Sequence, residues 1–198
     1  ARRSLASSGA TKNYIILNEL DNVRSRPSLV RLVDGKWIKS TLEAPAFGAV
    51  YVSGVDSNES DDYFMTVTDF ITPSTLYLGV AGKPGREKLK SLPEFFKTDG
   101  LEIQQFEAKS KDGTLIPYFQ VSRKELKLDG TNPTLLYGYG GFEVATQPPY
   151  SSSVGSAWLE RGGVYVLANI RGGGEFGPQW HQAARKENRQ RAYDDFIA

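Results

Sequence analysis

The sequence predicts a mixed fold, a run of short β-strands up to about residue 100 and a strand–helix alternation after it. Three observations carry this. Short β-type runs separated by turn signals recur through the first half. Two of them repeat: Tyr14-Ile15-Ile16 ahead of Arg26-Pro27-Ser28-Leu29 matches Tyr63-Phe64-Met65 ahead of Thr72-Pro73-Ser74-Thr75-Leu76, offset by 49 residues at the tyrosines and 46 at the prolines. Beyond Leu101, continuous apolar runs alternate with helical patterns, which is how parallel strands joined by crossovers read.

In chain order, Asn13 to Leu17 and Ser28 to Val33 are the first strand signals. Asp34-Gly35 then turns the chain into Lys36-Trp37-Ile38, because a two-residue hairpin loop needs residues that tolerate positive φ. Ala49 to Val52, Tyr63 to Val67 and Thr75 to Val80 continue the series. A strand-only repeat of this length fits a β-propeller blade, where about 40–50 residues make four strands. A β-sandwich also produces regular short strands. Gly82 to Asp99 reads as the tail of the last blade and a linker. Glu102 to Lys109 and Leu115 to Val121 form a hairpin around Lys111-Asp112-Gly113-Thr114. Pro133 to Tyr137 reads as a strand buried on both faces, and Val154 to Arg161 as a helix closed by Gly162-Gly163. Val164 to Ile170 is the next buried strand, and Pro178 opens a helix running towards Gln190.

Composition narrows the function classes. The 198 residues carry 24 basic and 23 acidic side chains, a net charge of +1, and one histidine. Polyanion binding needs a basic excess, so no nucleic-acid partner is expected. Cysteine is absent, which excludes a thiol nucleophile, a disulfide framework and Cys-ligated metal sites. Apolar runs such as Val164 to Ile170 fall far short of the roughly 20 residues a membrane helix needs, so no membrane partner is expected. Ala1-Arg2-Arg3-Ser4-Leu5 has the charge of a signal-peptide start without the apolar run after it. The compartment stays open between cytoplasm and periplasm. The chain starts without methionine and stops where Tyr193, Phe196 and Ile197 begin a helical face, so an internal piece of a longer protein is expected.

Two glycine-rich loops follow the two buried strands, at the sheet edge where α/β folds place their ligands. Arg171-Gly172-Gly173-Gly174-Glu175-Phe176-Gly177 contains a formal G-x-G-x-x-G at Gly172, Gly174 and Gly177. A dinucleotide site would need an acid at the end of a second strand, yet Gln179 to Arg191 has no β-run. Pro178 also removes a donor from the helix start. The loop is read as a tight turn for close packing, and no cofactor or metal is expected. In the first loop, Leu136-Tyr137-Gly138-Tyr139-Gly140-Gly141-Phe142, the glycines let the backbone come close to a substrate. α/β-Hydrolases take an oxyanion donor from the loop after their third strand, and a phenol is a neutral donor suited to that task.

Tyr137-Gly138-Tyr139-Gly140-Gly141-Phe142, then Asn169-Ile170-Arg171-Gly172-Gly173-Gly174-Glu175-Phe176-Gly177, Trp180-His181 and Asp194-Asp195-Phe196 together resemble the prolyl oligopeptidase family. The resemblance implies a partial β-propeller (the last blades, residues 1–100) followed by the N-terminal part of an α/β-hydrolase domain (residues 101–198). It implies a serine peptidase acting on short proline-containing peptides, cleaving on the carboxyl side of proline, monomeric as the full-length enzyme. It further implies that Tyr139 is the side-chain oxyanion donor and that Phe142 forms part of the apolar pocket for the proline ring. Oligopeptidase B, which cleaves after Arg or Lys, has Ser-Tyr where this chain has Gly141-Phe142, so the loop points to the proline branch. A non-catalytic propeller–hydrolase scaffold is the alternative of another class. No Gly-x-Ser-x-Gly occurs, and His181 precedes the place of the missing serine, so it is not the triad histidine on chain order. The chain by itself is expected to be inactive. Asp194 and Asp195, about 100° apart on a helix, do not form a carboxylate pair. Arg185, Lys186, Arg189 and Arg191 read as a solvated basic face.

Overall fold

The computed structural model describes residues 2–198; Ala1 lies outside the described residues. Two four-stranded antiparallel sheets come first. One runs β1 (Arg3–Ala10), β2 (Ile15–Asp21), β3 (Arg24–Val33) and β4 (Lys36–Thr41); the other runs β5 (Ala49–Gly54), β6 (Asp62–Thr68), β7 (Thr75–Val80) and β8 (Arg86–Ser91). Both are up-and-down meanders, the arrangement of propeller blades. The sequence repeat falls on equivalent places, since its tyrosines lead into the second strand of each blade. Ile16 and Met65 face inward, while Ile15 and Phe64 face out, the period-2 alternation of a strand. Ile16, Leu29, Val50, Tyr63, Met65, Val67 and Ala81 form the core between the blades. The Asn18 amide donates to the Val50 carbonyl (2.6 Å), tying β2 to β5. The outer strands β4 and β8 are largely exposed.

The first strand, RSLASSGA, carries no β pattern, yet it pairs with β2 along its length, with an irregularity between Leu5 and Ser7. The Gly82–Asp99 segment contributes β8, and its Phe96 is buried, stacked on Tyr150 with ring centroids 5.1 Å apart. The β2–β3 turn is made by Asn22 and Val23, both at positive φ, as a two-residue hairpin requires. A β-branched residue is costly there, by about 1–2 kcal/mol. Val23 is only 1 % exposed, and burying such a side chain contributes about 1.5–3 kcal/mol, which offsets that cost. It enters a core shared by both halves of the chain, with Phe70, Phe96, Leu101, Phe119, Val121, Leu159, Tyr165 and Leu167.

The third sheet has the order β11 (Thr134–Gly138), β12 (Val164–Ala168), β10 (Leu115–Arg123), β9 (Leu101–Lys109). β9–β10 is the expected antiparallel hairpin, β12 runs antiparallel to β10, and β11 pairs with β12 in parallel. The crossover between β11 and β12 is α1 (Ser152–Val154) continued by a π-helical turn over Gly155–Leu159. Its end is the expected glycine stop. Gly162, at φ +86°, donates to the Leu159 carbonyl, and Gly163 donates to that of Trp158.

Two expectations are corrected. β11 is not buried on both faces: Leu135, Leu136 and Tyr137 are 41 %, 40 % and 48 % exposed. Among the described residues β12 is its one strand partner, and its other edge is open. The helix expected from Pro178 to Gln190 is instead α2 (Pro178–Gln182), a 3-10 turn (Lys186–Asn188) and α3 (Gln190–Ile197). The break falls where Arg185 is extended and Lys186 takes φ +49°. On α3 the buried residues are Ala192 and Asp195, whereas Tyr193 and Ile197 are exposed.

Candidate functional site

β11 and β12 are parallel and in register from Thr134↔Val164 to Gly138↔Ala168, so both glycine-rich loops leave the same sheet edge. There the loops pack on each other. A Cβ on Gly140 would sit 2.5 Å from Ile170 Cγ1 and 2.8 Å from the Arg171 carbonyl oxygen. One on Gly172 would meet the Gly140 carbonyl carbon at 2.9 Å, and one on Gly174 the Glu143 carbonyl carbon at 2.9 Å. Glycine is required at these positions because backbone lies against backbone. The Gly172–Gly177 loop therefore lies with its backbone against the first loop, the close packing its glycines permit.

Tyr139 is the residue immediately after β11. Its side chain is 43 % exposed, its ring passes over Gly141, and it lines a cavity of about 480 Å³ together with Phe142, Gly172, His181 and Arg189. Phe142 stands at the rim of the same cavity, 85 % exposed. Phe142 and Glu143 both adopt left-handed backbone, at φ +50° and +58°. Such residues cost of order 1–3 kcal/mol each and persist only where surrounding contacts fix them.

Those contacts come from the segment after the second loop. The Arg189 guanidinium donates to the Gly140 carbonyl and lies over the Tyr193 ring, 5.4 Å from its centroid. His181 Nδ1 lies 2.6 Å from the Gly172 carbonyl oxygen and 3.0 Å from the Glu143 amide nitrogen. These two contacts call for opposite tautomers, since the ring donates to the carbonyl but accepts from the amide. With Nδ1 unprotonated His181 holds the first loop at the Glu143 amide, and with Nδ1 protonated it holds the second loop at the Gly172 carbonyl. Arg189, read from sequence as part of a solvated face, is half-buried against the first loop.

Two buried acids beneath the loops were not foreseen. Asp195 is fully buried and paired with Arg171, with Nη2–Oδ1 at 2.6 Å and Nε–Oδ2 at 2.9 Å. It also accepts from the Arg171 amide (2.9 Å) and from Ser110 Oγ (2.7 Å). Arg171 Nη1 pairs with Asp112 at 2.5 Å, and this holds the Asp112 carboxyl well below the usual carboxylate range. The second loop is thus pinned both to the β9–β10 turn and to α3. Glu175, 1 % exposed, accepts from the Thr146 amide (2.9 Å) and the Asn169 side chain (3.2 Å) through Oε1, while Oε2 has no partner. Burial pushes its carboxyl up from the ordinary glutamate value. An acid three residues after Ala192, on a helical face ending in Phe196, was the one available signal for Asp195. Asp194, its neighbour, is half-buried and accepts from Gln190.

Residues 150–198 match the family model described as the prolyl oligopeptidase family. An uncharacterized peptidase of Sinorhizobium fredii is 50 % identical over 99 % of this chain and 27 % of its own length. A prolyl endopeptidase of Elizabethkingia miricola is 37 % identical over 83 % of this chain and 23 % of its own length. The solved structure of a post-proline cleaving enzyme from Rickettsia typhi superimposes on all of this chain and 28 % of its own, with a TM-score of 0.88 and 37 % identity. The chain spans about a quarter of the length of the relatives it matches.

Proposed function

The chain is related in sequence and in fold to the prolyl oligopeptidase family, and we propose that it is part of a serine oligopeptidase cleaving short peptides on the carboxyl side of proline. Residues 1–100 are then the last propeller blades and residues 101–198 the front of the hydrolase domain. The reading needs a serine, an acid and a histidine from further chain, because attack on a carbonyl requires an activated nucleophile. In that reaction the carbonyl oxygen gains negative charge as the serine oxygen adds. The Tyr139 hydroxyl donates a hydrogen bond to it, beside a backbone N–H from the nucleophile's own turn. Phe142 supplies an apolar face for the proline ring.

The observation that supports this best is the placement of Tyr139. It follows a parallel strand directly, on a loop packed rigidly against its neighbour, with its ring half-exposed over a cavity. A donor fixed before the reaction pays no reorganisation cost when charge develops. In the full-length enzyme, Tyr139→Phe lowers kcat on a fluorogenic proline peptide by roughly 10²–10³. An unchanged kcat removes Tyr139 from the mechanism. Phe142→Ala raises KM for proline peptides; intact proline preference in that variant refutes the pocket assignment. The 198-residue chain alone hydrolyses no peptide, and turnover by it would overturn the need for further catalytic residues.

A further inference from the structure

We propose that Arg189 is a positioning residue for the oxyanion donor, acting on Tyr139 through the Gly140 carbonyl; this rests on the reading of Tyr139 given above. Three features converge on the loop. Gly140, at φ +56°, is the residue after Tyr139, and its carbonyl is taken by the Arg189 guanidinium. Phe142 and Glu143 hold left-handed backbone that local propensity opposes, so this loop springs away unless contacts outside it hold it. The Arg189 side chain is itself oriented by the Tyr193 ring, and it approaches Gly172 closely enough that a Cβ there would lie 3.0 Å from Nη1. Among the described residues no carboxylate pairs with Arg189.

A charged donor on a carbonyl makes a stronger hydrogen bond than a neutral one, and this one bears on the Gly140–Gly141 peptide unit, over which the Tyr139 ring lies. Arg189 does not touch the phenol hydroxyl. Its effect is to fix the Gly140–Gly141 peptide against which the Tyr139 ring packs, and hence the direction of the O–H. A shift of about 1 Å in such a group is enough to lower a rate roughly 100-fold.

The test is a double-mutant cycle in the full-length enzyme with a fluorogenic proline peptide, using Arg189→Met, Arg189→Lys, Tyr139→Phe and the Arg189→Met/Tyr139→Phe pair. Arg189→Met lowers kcat roughly 10- to 100-fold with KM changed less than twofold, and Arg189→Lys, which keeps a charged donor, recovers most of the loss. In the Tyr139→Phe background Arg189→Met costs less than threefold, because the donor it positions is gone. Equal effects in both backgrounds, or an unaltered kcat in Arg189→Met, overturn the proposal. If Arg189→Met does not fold, a full loss of rate in the folded Arg189→Lys variant also overturns it, since a cation alone then fails to serve. If Tyr139→Phe by itself leaves kcat unchanged, the oxyanion reading has failed and takes the role of Arg189 with it.

Discussion

Replacing Asp195 by Asn is the sharpest probe of how the glycine loops are held. The carboxylate is fully buried and receives Arg171 Nη2, Nε and amide N–H together with the Ser110 hydroxyl. An asparagine keeps one accepting oxygen and turns an N–H₂ towards guanidinium donors, leaving Arg171, only 5 % exposed, short of its countercharge. Breaking a buried pair this way costs about 3–5 kcal/mol. Asp112 remains on Arg171 Nη1, so the lower end applies, about 3 kcal/mol. For a chain of this size that is a fall in Tm of roughly 6–12 °C, at about 2–4 °C per kcal/mol. Circular dichroism melts of the chain and its variant measure it. Arg171→Met combined with Asp195→Leu loses less than the two single variants added together, because no charge is then left buried alone. A fall below about 3 °C for Asp195→Asn would refute the view that this pair pins the second loop.

Glu175 carries the opposite sign. Its folded-state carboxyl is raised, so the native chain holds its proton more tightly than the unfolded chain, and stability falls as pH rises from the ordinary glutamate value through the raised one. Glu175→Gln keeps the acceptor for Thr146 and removes that dependence, giving a higher Tm at pH 8 and little change at pH 4; an identical pH slope in the variant refutes it. Asp112 behaves in reverse. Its depressed carboxyl contributes stability above its ordinary value that is lost as pH falls below it, so Asp112→Asn flattens the acid limb of a Tm–pH curve. Gly174→Ala drives a methyl into the Glu143 carbonyl, and limited proteolysis then cuts between Tyr139 and Ala145 faster than in the parent chain; equal rates would show that the loops part without cost.

How much of this was legible in the sequence depends on how far apart the determining residues lie. Strands β2, β3, β6 and β7 could be read from alternation within five or six residues, and the blade repeat from two short echoes. Glycine order and spacing likewise pointed to two adjoining loops at one sheet edge. β1 could not be read, because Ser and Ala carry no strand pattern and pairing with β2 alone makes it one. β11 read as buried because its composition is apolar; within the described residues one of its edges has no strand partner, and its apolar side chains stand half-exposed there. Asp195 meets Arg171 across 24 residues and Ser110 across 85, and Arg189 meets Gly140 across 49. Such pairs leave no local trace, since a buried charge and a solvated one are the same letter until folding brings their partners together. The sequence alone determined which backbone could be extended and where it had to bend; folding decided which charges were shielded from water and which side chain braces the tyrosine loop.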